Sequence, residues 1–191
     1  MTQILITCRE AFAAAIALIP IYWLMNRYLI HDTKKSMLYL IFSIYLSAMY
    51  AAVGLPDVTY WRFHINVNFR PFLYMFSAWE TTLLNVLLFL PLGFFMPMLW
   101  KQYHSPVKTI TLGFGISAAV ELLQIFTYRA SDINDLMTNT FGTLVGYLAA
   151  MGMKKWAPVF PSSEKNDDIA LIFGTVFGTM FFIYPFLIKL I

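Results

Sequence analysis

Residues 128–142, YRASDINDLMTNTFG, decide how this chain is read. An arginine, two aspartates and two asparagines stand there between segments oily enough to cross a membrane. From Asp132 onward the polar and small positions are Asp132, Asp135, Asn139, Gly142 and Gly146. Steps of three, four, three and four put them on one helical face, so the stretch opens a helix with a polar stripe. Gly142 and Gly146 form a small-xxx-small pair that lets another helix approach closely. Ser131 or Asp132 suits the N-cap of this helix, and Asp135 suits its electropositive first turn.

Outward from that stretch the chain is apolar. Of its 191 residues, 60% are hydrophobic and only 12% charged, and the mean hydropathy is +0.68. Soluble domains hold about 45–50% apolar residues, so the composition points to an integral membrane protein. A helix needs about 20 mostly apolar residues to cross the hydrocarbon core. Six stretches qualify: 11–29, 37–55, 82–100, 109–128, 132–153 and 168–188. The expected fold is all-α, a polytopic membrane helix bundle of about six transmembrane helices forming a single membrane domain over residues 1–191. Arg9 and the apolar run from Phe12 resemble a signal peptide, but the run reaches Leu29, beyond the about 7–15 residues of such a region. Pro106, Pro158 and Pro161 mark linkers between helices.

Charge sets the expected orientation. Arg27, Lys34, Lys35, Lys101, Lys108, Lys154, Lys155 and Lys165 fall in the odd-numbered loops, against Arg9, Arg62, Arg70, Arg129 and Lys189 on the other side. Eight against five favours the odd loops in the cytoplasm and both termini outside, in a bacterial cytoplasmic membrane. Residues 56–77 and the RASD turn then share the external face. The basic residues are scattered singly and in pairs, which excludes the clustered stripe of a nucleic-acid binder. The single cysteine, Cys8, allows no internal disulfide, and no zinc-type spacing of Cys and His exists. His31, His64 and His104 lie in separate loops and make no catalytic set.

The external segment PDVTYWRFHINVNFRPFLYMF, residues 56–76, mixes Tyr60, Trp61, Phe63, Phe69, Phe72 and Tyr74 with Arg62, His64, Asn66, Asn68 and Arg70. Such a mixture suits either an interfacial anchor or a lid that contacts lipid headgroups.

Polar groups inside the oil carry the functional reading. Glu121 and Gln124, spaced i and i+3, share a face of the fourth stretch, and Asn85 lies about a turn and a half into the third. Counting from the expected helix ends places Asn85, Glu121 and Asn139 at similar depth, with Arg129, Asp132 and Asp135 above them. An ionised side chain near the membrane centre costs from about 2.5 to more than 10 kcal/mol, so Glu121 must be paired, protonated or wet. The plain alternative is polar glue between helices, with Arg129 neutralising an aspartate. Three carboxylates, an arginine and several amides exceed what that packing requires, and carboxylates at different depths titrate apart, which suits acid/base work. The same oxygens could hold a divalent cation, Mg²⁺ or Ca²⁺, although no regular ligand pattern is present. Pro91 and Gly93 are expected to kink the third helix and open space beneath Asn85.

Four ordered motifs, NFRPF (68–72), NVLLFLPLGF (85–94), ELLQ (121–124) and RASDINDLMTNTFGTLVG (129–146), resemble the VanZ-like family of bacterial membrane proteins. The motif core covers about 66–152. The resemblance implies a compact helical membrane fold and, through the teicoplanin-resistance protein that names the family, a link to glycopeptide antibiotics that bind lipid-linked cell-wall precursor. Together with the polar pocket it leads us to expect an outward-facing site that binds or modifies a lipid-linked headgroup. Glu121, Asp132 and Asp135 are the candidate catalytic groups; Asn85, Gln124, Arg129 and Asn139 are the candidate substrate-binding groups. The expected partners are membrane lipids or lipid-linked precursor. Two other readings stay open: a non-enzymatic protein that shields lipid or antibiotic, and a small transporter with Glu121 as proton relay, for which no inverted repeat is visible.

Overall fold

The computed structural model describes residues 3–72, 78–127, 129–153, 163 and 167–190. Its helices are α1 (Gln3–Met25), α2 (Thr33–Ala52), α3 (Trp79–Leu99), α4 (Pro106–Gln124), α5 (Ile133–Met153), α6 (Asp167–Gly178) and α7 (Tyr184–Leu187). A π-helical turn over Asn26–Ile30 extends α1, and another over Thr179–Ile183 joins α6 to α7. Among the described residues the strands are a single parallel pair of two residues each, β1 (Val67–Asn68) and β2 (Ser131–Asp132). The expected all-α membrane bundle is what the chain forms.

Among the described residues five segments are long and apolar enough to cross a membrane: Arg9–Ile30, Thr33–Ala52, Trp79–Leu99, Pro106–Gln124 and Asp167–Leu187. The remaining expected span, α5, is long enough at 21 residues but more polar. Its Asn134, Thr138, Asn139 and Thr143 are buried, so protein shields them where lipid could not. The chain is thus a multi-pass membrane protein. Helix α4 ends at Gln124 and turns over residues 125–127, short of the expected end at Tyr128. Tyr74, Tyr128, Lys154, Lys155, Lys165, Pro158 and Pro161 lie outside the described residues.

The chain divides into two compact units, Met1–Trp61 with Asn166–Ile191, and Arg62–Lys165. In the first, α1, α2, α6 and the π-helical turn after α6 bury Leu18, Tyr22, Tyr39, Phe42, Ile172 and Met180. Tyr22 and Ser43 share a buried hydrogen bond of 2.6 Å, so the tyrosine hydroxyl is satisfied inside the oil. Asp32 caps α2 by accepting from the Lys35 N–H at 3.1 Å. Lys35 Nζ in turn meets Asp168 Oδ2 at 2.6 Å, and the Tyr39 hydroxyl donates to the same oxygen at 2.8 Å.

The second unit holds all four motifs. Its core is the seam between α3 and α5, where backbones touch. A Cβ at Gly142 would strike the carbonyl of Val86, at Gly146 that of Leu90, and at Gly93 that of Thr143. The small-xxx-small pair therefore has α3 as its partner, and hydrogen there is required by space and not by backbone angle. The space expected to open at Gly93 is filled instead. Helix α3 runs on through Pro91, and the room left at Gly93 is filled by the α5 backbone, not by a cavity. On the other side Gly113 of α4 faces the Thr143 side chain, so α5 is packed between two small-residue contacts.

Candidate functional site

The site grows from how α5 begins. Asp132 precedes its first residue, and Asp132 Oδ1 accepts from the Asn134 N–H at 2.8 Å and from Asn134 Nδ2 at 2.9 Å. It is the N-cap, satisfying a donor that the helix itself leaves open. The backbone N–H of Asp132 donates to Glu121 Oε2 at 2.8 Å, and the Ser131 hydroxyl donates to the Glu121 carbonyl. One glutamate thus holds the α4–α5 turn through both its side chain and its backbone.

Residues 62–72 form a strap over this turn. The Arg62 and His64 N–H groups donate to the carbonyls of Phe126 and Ile125 at 2.9 and 2.8 Å, and Ser131 N–H donates to the Asn66 carbonyl at 2.9 Å. The register of the parallel pair sets Val67 beside Ser131 and Asn68 beside Asp132. Asn68 Nδ2 then reaches Asp132 Oδ2 at 3.0 Å. Asn134 clamps the far end: its Oδ1 accepts from Phe72 N–H at 2.7 Å and its Nδ2 donates to the Arg70 carbonyl at 3.3 Å. Phe72 takes a left-handed φ of 62°, uncommon for an aromatic residue and held there by that clamp. Of the two readings of the aromatic segment, anchor or lid, the described portion shows a fixed element that delivers an amide to Asp132.

Below the cap the polar stripe of α5 descends in rungs. Asn85 Nδ2 of α3 donates to Asp135 Oδ1 at 2.7 Å. Deeper, Asn139 Nδ2 meets Ser117 Oγ of α4 at 2.9 Å, and Thr143 donates to the Asn139 carbonyl at 3.1 Å. Asn139 is only 3% exposed, and its Oδ1 has no partner among the described residues. The equal depth expected for Asn85, Glu121 and Asn139 is therefore replaced by a ladder: Glu121 beside Asp132, Asn85 beside Asp135, Ser117 beside Asn139. The reason is the early end of α4, which leaves Glu121 about one turn from the helix terminus.

Gln124 is buried at the end of α4, where its carbonyl accepts from the Thr127 N–H at 2.9 Å and hydroxyl at 3.0 Å. Arg129 is exposed and forms no ion pair among the described residues. The expected ion pair between Arg129 and an aspartate does not form among the described residues, where Asp132 accepts from the amides of Asn68 and Asn134. Asn68, Ser117, Ser131 and Asn134 belong to the network and were not among the candidate site residues read from the sequence. For Ser117 a signal was present: Gly113, Ser117 and Glu121 recur every four residues, the period of one helix face.

Beside the cap lies a cleft of about 130 Å³, lined by Val67, Asn68, Phe69, Glu121, Ser131, Asp132, Ile133 and Leu136. The polar groups turn toward one another, so the surface facing the cleft is almost wholly apolar. Among the described residues no three His, Cys, Asp or Glu side chains converge as ligands for a metal ion.

No curated protein and no solved structure gives a significant match to this chain. A family description does: the model for VanZ/LLP1 matches residues 11–155, which takes in every element of the ladder and the strap. The chain belongs to the VanZ/LLP1 family.

Proposed function

We propose that the strapped end of α3, α4 and α5 is an outward-facing site that binds a lipid-linked headgroup of the cell envelope, and that this binding underlies an effect on glycopeptide tolerance. One observation carries the reading. A cleft opens beside Glu121 and Asp132 at the end of apolar helices, where polar groups exceed what packing needs. The exposed Arg70 and Arg129 adjoin cleft-lining or near-lining residues and suit a phosphate, which arginine grips with paired donors. The excess of Lys and Arg in the opposite loops favours this end facing outward.

Binding is favoured over chemistry because the carboxylates are engaged in structural bonds. A second reading rests on what those bonds leave over. Glu121 uses Oε2 and Asp135 uses Oδ1, so each keeps one oxygen without a partner among the described residues, in position to move a proton. The test is the tolerance of cells to teicoplanin with Glu121→Gln or Asp135→Asn at unchanged protein abundance in the membrane. Loss of tolerance is expected, and wild-type tolerance in both variants would refute the site. Lipid mass spectrometry of the same cells separates the readings: a headgroup species that appears or disappears with the protein indicates modification, and an unchanged lipid profile indicates binding or shielding.

A further inference from the structure

The cleft is too small for a whole headgroup. Pockets that enclose small-molecule ligands run about 300–1,000 Å³, and this one, at about 130 Å³, has room for roughly four water-sized groups. Its walls are Val67, Phe69, Ile133 and Leu136, and its carboxylates face away. It also has a continuation. Ile133 starts an α5 stripe with Met137 and Phe141 at four-residue steps and Leu148 a further seven along, and these three are 36%, 56% and 58% exposed. The exposed apolar track therefore runs from the cleft along the side of α5 opposite its buried polar ladder.

Charge stands at the cleft end of the track. Arg70 follows the lining residue Phe69, and Arg129 stands two positions before the lining residue Ser131. Both are exposed and neither forms an ion pair among the described residues. An apolar slot with a cationic rim is complementary to a phosphate joined to a hydrocarbon chain. We infer that this site takes a phosphate-headed membrane lipid, with the first carbons of one chain in the cleft, the rest along Met137 and Phe141, and the phosphate at Arg70 and Arg129. This rests on the headgroup site proposed above and names its ligand class as an intact anionic lipid, bound by chain and charge together.

Native mass spectrometry of the full chain in neutral detergent tests it with three probes: dioleoylphosphatidylglycerol, dioleoylphosphatidylcholine and sn-glycerol 3-phosphate. Phosphatidylglycerol is expected to be retained about fivefold better than phosphatidylcholine, the effect of roughly one well-placed cationic contact, and glycerol phosphate not at all. Arg70→Gln with Arg129→Gln should erase the preference between the lipids. Leu136→Trp, which fills the cleft, should lower retention of both lipids. Phe141→Ser, at an exposed position that the fold does not need, should lower it by a smaller factor and keeps the test valid if the tryptophan variant does not fold. Glycerol phosphate binding as well as phosphatidylglycerol, insensitive to the cleft and stripe variants, would overturn the chain-binding inference while leaving a headgroup site standing. Equal retention of the two lipids overturns the cationic rim. Retention of no probe overturns this inference and leaves the headgroup reading to the tolerance test above.

Discussion

Asn85 Nδ2 on α3 donates to Asp135 Oδ1 on α5 over 2.7 Å, joining the two helices whose backbones already touch at Gly142 and Gly146. Interhelical side-chain hydrogen bonds in membranes average roughly 0.6 kcal/mol and reach about 1.7. Removing the donor does more than remove the bond, because a half-buried carboxylate is left without its amide. An orphaned acceptor costs about 1–3 kcal/mol. Asn85→Ala is therefore expected to lower the thermal unfolding midpoint of the purified protein by more than the bond alone explains. Asn85→Ala combined with Asp135→Ala should recover part of the loss, since no carboxylate then remains to be satisfied. Additive losses in the double variant would show that the two side chains are not coupled.

The glycines give a second expectation, with controls in the same chain. Gly146→Ala places a methyl group against the Leu90 backbone and Gly93→Ala places one against Thr143, and neither neighbour is a flexible side-chain tip. Both should separate α3 from α5 and destabilise the second unit by about 1–3 kcal/mol, as overpacking does. Gly115 and Gly152 have open space where a Cβ would stand. Gly115→Ala, in the interior of α4, should be neutral or stabilising by up to about 1 kcal/mol through helix propensity. Unfolding midpoints of the three variants, compared in one detergent, check both halves. A seam glycine that tolerates alanine as well as Gly115 would contradict the close approach.

Much of this was legible in the residues themselves. The steps of three and four from Asp132 to Gly146 mark one helix face, and the structure puts that face against α3 and α4. Two things were not legible. The depth of Glu121 depended on where α4 stops, and no proline or glycine marks that point; the turn over 125–127 is set by the Thr127 hydroxyl and by strap bonds to the carbonyls of Ile125 and Phe126. Asn68 was invisible as a partner of Asp132 because 64 positions separate them in sequence. Only the parallel pairing of β1 with β2 brings them together, and two-residue strands leave no periodic trace in a sequence.

That strap can be tested by hydrogen exchange. Asn134 holds its end through the Phe72 N–H and the Arg70 carbonyl, and it also supports the Asp132 cap. Asn134→Ala should speed exchange most at the Phe72 amide, whose acceptor is removed, and less at the Arg62 and His64 amides, which pair with the turn after α4. Phe72→Gly should act in the opposite sense on stability. A left-handed conformation costs a non-glycine residue about 1–2 kcal/mol, so glycine at φ 62° should be neutral or stabilising despite the lost aromatic side chain, which is exposed. Uniform exchange along residues 62–72 in Asn134→Ala would show that the strap is not pinned at that point.

In the first unit, Lys35 and Asp168 make a testable pair of a different kind. Their side chains are only 19% and 16% exposed, the separation is 2.6 Å, and the Tyr39 hydroxyl shares the carboxylate. Lys35 sits in the first turn of α2, where the helix dipole opposes a positive charge, while Asp168 sits in the first turn of α6, where the dipole favours a negative one. The ion pair must therefore offset an unfavourable placement of Lys35. Lys35→Met should cost less than Asp168→Ala: the first removes a misplaced cation together with its 5.4 Å approach to the Tyr39 ring, while the second strands an ammonium group that is largely out of water. Lys35→Glu should be the worst, because it brings two carboxylates together. Added salt should change the wild-type midpoint little, since a pair this far from solvent is weakly screened. The order Lys35→Met, Asp168→Ala, Lys35→Glu from mildest to most severe, read as unfolding midpoints, is the expected outcome. A salt-sensitive wild type with three indistinguishable variants would mean that the pair is an ordinary surface contact.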